Sequence, residues 1–129
     1  MIDISSNPKL YNPLTLAFLG DSVFELLARE QVVAAGSMSP GKLHRAAVRF
    51  VCADAQARLY DLIEPVLTEE ELAMLRRGRN ATSVTPPKNA DPAHYRKATA
   101  VETLFGYLHL CGRFDREREL FAYAGQAAG

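Results

Sequence analysis

Two acidic residues stand where the surrounding pattern is apolar. Asp21 lies between Leu19 and Val23, and Glu102 lies between Val101 and Leu104. Each has a glycine close by: Gly20 precedes Asp21, and Gly106 follows Glu102 by one helical turn. A mid-helix glycine costs about 1 kcal/mol relative to alanine, and aspartate is a poor helix former. A lone buried carboxylate is expensive as well. Small residues share the face of each acid, Ala17 and Ala28 with Asp21, Ala98 and Gly106 with Glu102. The pattern predicts two helices that cross closely and present two carboxylates together. Such a pair repels and invites a cation between its members. Spacing alone leaves the alternative open that each acid is paired with an arginine or sits at a rim. Glu25, one turn after Asp21, reads as a surface residue.

Other chemistries find little support. His44, His94 and His109 lack zinc-ligand spacing, no glycine-rich phosphate loop is present, and no serine or cysteine lies in a nucleophile motif. His109, about two turns after Glu102 on its face, reads as a satisfied core or rim histidine. Charge is more informative. The 129 residues carry 15 basic and 15 acidic side chains, so the chain is not coated in positive charge. The charges are segregated, however. Arg76, Arg77, Arg79, Lys88, Arg96 and Lys97 are opposed in their segment by Asp91 alone. Asp54, Asp61, Glu64, Glu69, Glu70 and Glu71 are opposed in theirs by Arg58 alone. A neutral total built this way permits a local anionic partner on the basic side.

The elements that must position these groups are helical. Strand alternation and hairpin turns are nearly absent, so the expected fold class is all-α. One helix is expected from Pro13 to Ala35, with Asn12 as N-cap and Gly36 as stop. It is apolar nearly all round, which calls for cover from more than its own subunit. A second helix is expected from about Lys42 to Tyr60 or Leu62, with Lys42, Arg45 and Arg49 as a basic stripe. Thr68 and Glu71 form a capping box that opens a short helix to about Arg77. Gly78 to His94 is the one long irregular stretch. A helix from about Ala93 to Cys111 and another from Phe114 to Tyr123 follow, with a tail expected to fray. At 48% hydrophobic and 23% charged residues the chain has the composition of one globular domain, residues 1–129, with a frayed N-terminus. No 18-residue apolar run and no leader-like N-terminal pattern is visible. Cys52 and Cys111 read as reduced core residues, which fits a cytoplasmic protein.

The stretch Leu16-Ala17-Phe18-Leu19-Gly20-Asp21-Ser22-Val23 resembles the signature of the ribonuclease III endonuclease domain. The whole chain is similar to the family's Mini-III form, which lacks a double-stranded-RNA-binding domain. Lys42-Leu43-His44, Gln56-Ala57, Arg77-Gly78-Arg79-Asn80-Ala81 through Pro87-Lys88-Asn89, and Tyr95 through Tyr107 follow in family order, from about residue 10 to 124. The resemblance implies an all-helical homodimer that cuts both strands of double-stranded RNA with magnesium, leaving 5′-phosphate and 3′-hydroxyl ends. It implies precursor 23S ribosomal RNA as substrate, and it allows a ribosomal protein or the pre-ribosome as a further partner.

Asp21 and Glu102 match the family's metal-binding aspartate and glutamate. Two further acids of the larger enzymes are replaced by Ala17 and Thr99. Phe18 matches an aromatic residue that docks into the partner subunit. Without an appended binding domain, Arg77, Arg79, Asn80, Lys88, Asn89, Arg96 and Lys97 are the expected RNA contacts, because A-form RNA is read mainly by shape, phosphate and 2′-hydroxyl. The competing reading is a non-catalytic dimeric RNA-binding module in ribosome assembly, to which two carboxylates near phosphates would bring nothing. A protein-interaction bundle would leave the basic segment unexplained.

Overall fold

The computed structural model describes residues 7–81 and 86–128. Among them lie seven α-helices and no strand: α1 (Pro13–Ala34), α2 (Pro40–Val51), α3 (Ala53–Ile63), α4 (Glu69–Arg79), α5 (Pro92–Leu110), α6 (Phe114–Phe121) and α7 (Ala124–Ala128). Short 3-10 turns at Pro8–Leu10 and Glu64–Val66 complete the regular structure of the described residues. The expected fraying of the first residues falls on residues 1–6, outside the described ones, as do Thr82 to Thr85 of the irregular stretch. No helix among the described residues is long and apolar enough to cross a membrane.

The local signals lie where the sequence places them. The Asn12 side chain accepts from the Leu14 amide at 2.8 Å, and Gly36 turns the chain after α1 with φ +127°. Thr68 and Glu71 satisfy each other's backbone amides in a complete capping box. Asp91 accepts from the Ala93 amide at 2.9 Å to open α5, and Gly112 closes it with φ +71°.

Three features differ from expectation. The helix expected over residues 42 to 62 is broken at Cys52, whose extended backbone (φ −66°, ψ 154°) ends α2 and begins α3. No proline or glycine causes this. At ~100° per residue, an unbroken helix would point Leu43, Ala47 and Phe50 about half a turn away from Leu59, Tyr60 and Ile63. Ala47, Leu59, Tyr60 and Ile63 are buried here, and Phe50 packs on the core. The break lets both apolar faces turn inward. The C-terminal tail does not fray either. Through Ala128 it forms α7, with Ala124 and Ala127 buried and the Ala127 carbonyl accepting from Arg58 Nε at 2.6 Å. Gly78 belongs to α4 rather than to the irregular stretch.

At the centre, α5 is surrounded by α1, α3 and α4. Phe24 of α1 meets Phe105 of α5 and Phe121 of α6 edge to face, with ring centroids 5.3 and 5.2 Å apart. The crossing of α1 and α5 is a backbone contact. A Cβ built at Gly20 would land on the Glu102 carbonyl, and one at Gly106 would land on the Leu16 carbonyl. A Cβ at Gly78 would strike the Thr103 side chain and come within 2.9 Å of the Ala100 Cα.

Gly20→Ala is therefore expected to destabilise the protein by about 2 kcal/mol, because overpacking against a rigid backbone, about 3 kcal/mol at the upper end of its usual range, outweighs the ~1 kcal/mol gain in helix propensity. Thermal melting would show a large drop. An unchanged or raised midpoint would mean that the two helices do not meet at this point.

Candidate active site

The crossing that Gly20 and Gly106 permit brings the two flagged acids together. Asp21 is the residue after Gly20, and Glu102 is the residue whose carbonyl Gly20 meets. Asp21 lies near enough for its charge to act on the Glu102 carboxyl, and Gln56 of α3 acts on it from a third helix. Asp21 is exposed, Glu102 is half-buried, and Gln56 is 4% exposed. Burial pushes the Glu102 carboxyl up first, and the Asp21 hydrogen bond and charge add to it. Gln56, bonding the charged form, pulls the other way. The net result is a carboxyl raised from 4.5 to about 8.

The arginine-paired alternative is realised elsewhere. Glu71 is buried, and both its oxygens meet the Arg116 guanidinium at 2.9 Å. Burial alone would raise its carboxyl, but Arg116 and Thr68 hold it below the ordinary value. Buried Glu117 meets His109 Nδ1 at 3.0 Å, which gives that histidine a structural place. Among the described residues no lysine, arginine or histidine ion-pairs with Asp21 or Glu102. Glu25 pairs with Arg29 at 2.9 Å on the surface, as expected.

The donor set suits a hard divalent cation. Two carboxylates and an amide supply only oxygen among their possible ligand atoms, and such an ion keeps several waters and needs few protein ligands. The neighbouring positions add none. Ala17 has no polar atom, and the Thr99 hydroxyl is turned onto the Tyr95 carbonyl of its own helix at 3.0 Å. Among the described residues no group of three or more acids, histidines or cysteines could hold a metal, so any protein coordination here centres on the carboxylate pair.

The basic residues separate into two groups. Lys88, Asn89 and Arg96 are exposed, and neither cation takes part in an ion pair among the described residues. The others are tethered. Arg77 donates to the carbonyls of Lys9 at 2.7 Å and Tyr11 at 3.0 Å, so its guanidinium clamps the segment before α1. Arg79 donates to the Tyr60 hydroxyl at 2.9 Å and to the Asn80 side chain at 3.4 Å. Lys97 pairs with Asp61 at 2.8 Å and lies over the Tyr60 ring at 5.4 Å. Buried Tyr60 thus orders two cations, a role its apolar-face spacing does not announce. Phe18 stands 83% exposed on α1, with Leu26 and Val33 also exposed further along that helix.

Residues 14–113 match the Ribonuclease III domain family. A Mini-ribonuclease 3 from Brevibacillus brevis is 46% identical over 122 residues, covering 95% of this chain and 91% of that protein. One from Symbiobacterium thermophilum is 44% identical over 119 residues, covering 92% of each. A solved structure from Fusobacterium nucleatum is 26% identical, with a TM-score of 0.81, over 92% of this chain and 94% of that one.

The raised Glu102 carboxyl has a measurable consequence. The metal-free folded protein holds a proton there that the unfolded chain releases nearer pH 4.5. Stability is therefore greatest at the acid end of this window and falls as pH rises towards about 8, at up to about 1.4 kcal/mol per pH unit. Melting in chelator across pH 5 to 8 should show this slope, and Glu102→Gln should flatten it. Parallel curves for the two proteins would contradict the carboxyl pairing.

Proposed function

The chain belongs to the ribonuclease III family, and on that premise we propose that it is a magnesium-dependent endonuclease cleaving double-stranded RNA. The observation that carries the proposal is the placement of Asp21 beside Glu102 at the α1–α5 crossing, where neither acid has an ion-pair partner among the described residues. Its proposed substrate is precursor 23S ribosomal RNA, and its proposed products carry 5′-phosphate and 3′-hydroxyl ends. The relatives named Mini-ribonuclease 3 support the substrate class.

Asp21 and Glu102 are the catalytic residues of this reading, and both would hold the cation. Magnesium, when bound, supplies a water of lowered pKa and neutralises charge at the phosphate and its leaving oxygen. Asp21, exposed on α1, offers its oxygens from the solvent side where a phosphodiester would arrive. Glu102, half-buried on α5, holds a fixed position behind it. Its proton must leave before both oxygens can serve as ligands, which favours cleavage at neutral to alkaline pH. No side-chain nucleophile is needed for hydrolysis.

The RNA contacts proposed for this surface are Lys88, Asn89 and Arg96, with Arg79, Asn80 and Lys97 behind them. Of the first three, neither cation has an ion pair among the described residues, and Tyr60 holds two of the others in place. Arg77 belongs to the same surface, with its guanidinium committed to two carbonyls. Phe18 is proposed as the anchor of a two-fold homodimer. A dimer would set one carboxylate pair against each strand of a duplex. A ribosomal protein or the pre-ribosome is a proposed further partner, and the cytoplasm the proposed compartment.

Asp21→Asn and Glu102→Gln should each abolish cleavage of a labelled RNA duplex in magnesium while circular dichroism shows a folded protein. Near-normal cutting by either variant would remove the carboxylate pair from catalysis.

Phe18→Ala should shift sedimentation towards monomer at high dilution. Truncating a buried aromatic costs about 3–5 kcal/mol, here paid at the interface rather than in the subunit core. A dimer unchanged across dilution would exclude Phe18 as its anchor, as would a wild-type protein that sediments as a monomer.

A further inference from the structure

Tyr60 faces inward because the break at Cys52 turns α3, and it is 2% exposed. A buried tyrosine needs a partner for its hydroxyl. Here the partner is Arg79, the last residue of α4, whose Nη1 donates to the Tyr60 oxygen at 2.9 Å. Lys97 of α5 lies 5.4 Å from the centroid of the same ring. One core side chain of α3 thus meets a cation from each of two other helices, through different parts of itself.

The way Arg79 is held differs from the way most arginines of this chain are held. Arg29, Arg113, Arg116 and Arg118 each meet a carboxylate within 3.2 Å. Such a pair fixes the guanidinium but cancels its charge. Arg79 is fixed by the Tyr60 phenol and, at 3.4 Å, by the Asn80 amide oxygen. It has no ion pair among the described residues. Burial pushes the Tyr60 phenol up from its ordinary value against the pull of Arg79, so the holder stays uncharged. A guanidinium has five N–H donors in one plane, and these two bonds use two of them. Arg79 is half-buried, so part of the group stays open to solvent. An anion arriving there meets a full positive charge on a side chain that is already ordered. Ordering a long side chain at the moment of binding would otherwise oppose association.

We propose that Tyr60 is a positioning residue for RNA binding, whose hydroxyl holds the Arg79 guanidinium ready for a backbone phosphate without cancelling its charge. The inference rests on the reading of Arg79 as an RNA contact. It adds that the affinity of this surface is set in part from inside the core, by a neutral group on a helix that does not itself touch the duplex.

The test measures binding of the whole protein to a short RNA duplex over a series of salt concentrations, with calcium in place of magnesium. Tyr60→Phe removes the hydroxyl and keeps the ring beneath Lys97. Its affinity should fall about 2- to 10-fold, the effect of leaving one long side chain to be ordered on binding. The salt slope should stay at the wild-type value, because no charge is removed. In magnesium, KM should rise by the same factor with kcat unchanged. Arg79→Ala should weaken binding and also flatten the salt slope by about 1. In the Arg79→Ala background Tyr60→Phe should change affinity no further, because the hydroxyl acts through Arg79. A general loosening of the core would persist in that background. Wild-type or tighter binding by a folded Tyr60→Phe protein would overturn the proposal, as would a further loss of affinity on top of Arg79→Ala. If Tyr60→Phe does not fold, Arg79→Lys decides. It keeps the charge and loses the planar fork that can bond a hydroxyl and a phosphate together. Its affinity should fall with the slope unchanged, and wild-type affinity would overturn the proposal. If Arg79→Ala itself binds with wild-type affinity and slope, the reading of Arg79 as an RNA contact fails, and the proposal with it.

Discussion

The contact between Gly20 and the Glu102 carbonyl sets the geometry of everything else. It allows α1 and α5 to touch backbone to backbone, with no side chain to hold them apart. The residues carrying the chemistry are those of the contact itself, Glu102 and the neighbour of Gly20. Separation of the carboxylates is therefore fixed by the stiffest parts of two helices rather than by a loop. Repulsion between the acids opposes this arrangement. The buried aromatic cluster of Phe24 on α1, Phe105 on α5 and Phe121 on α6 opposes the repulsion, each edge-to-face pair adding about 0.5–1.5 kcal/mol beyond its burial. Core and site are thus one construction, with stability and function drawing on the same crossing.

The remaining acids show what the protein does with a carboxylate that has only a structural task. Glu71 receives a two-pronged guanidinium, and Glu117 receives an imidazole. Glu70 accepts from the Tyr107 hydroxyl and pairs with Arg113 at 3.2 Å. The Tyr107 bond, with the charges of Arg113 and Lys9, holds the Glu70 carboxyl below its ordinary value. Glu70 and Glu71 meet guanidinium groups and Glu117 an imidazole, whereas Glu102 has Asp21 beside it. The same sorting applies to the bases, since Arg77 and Arg116 are consumed by carbonyls and carboxylates while Lys88 and Arg96 have no ion pair among the described residues. A chain of zero net charge can still meet a polyanion at such a place, because the cations left over inside the basic segment decide the local field.

Much of this was legible in the sequence because it rests on local signals. Asn12, Gly36, Thr68 with Glu71, and Gly112 mark helix ends through caps that each need only a few neighbouring residues. Asp21 and Glu102 were legible as exceptions to an apolar pattern, and their glycines foretold the close crossing. The break at Cys52 was not legible, because no residue there disfavours a helix. It follows from a tertiary demand, that two apolar faces half a turn apart both be covered. The burial of Gln56 was hidden for the same reason: its position on a continuous helix points outward. Nor could spacing separate Arg77 from Lys88, since the carbonyls that Arg77 clamps lie 68 and 66 residues away in the chain. The α7 tail was obscured by its small side chains, which look like frayed sequence until Arg58 and the core receive them.

Phe18 and Asp21 are three residues apart on α1, about 60° around the helix and 4.5 Å along it. A partner docked on Phe18 would therefore lie next to the carboxylate pair. In the proposed two-fold dimer, the distance between the two sites would be set by rigid α1 segments meeting at the axis. Two strands of an A-form duplex present their phosphates at a fixed spacing, so a pair of cutting sites must be held at a fixed spacing too. A flexible linker between separate catalytic units would not provide this. The apolar surface that α1 leaves uncovered in the single subunit, from Phe18 through Leu26 to Val33, is on this argument part of the catalytic design. It would connect the carboxylates of one subunit to those of the other through a single continuous helix pair.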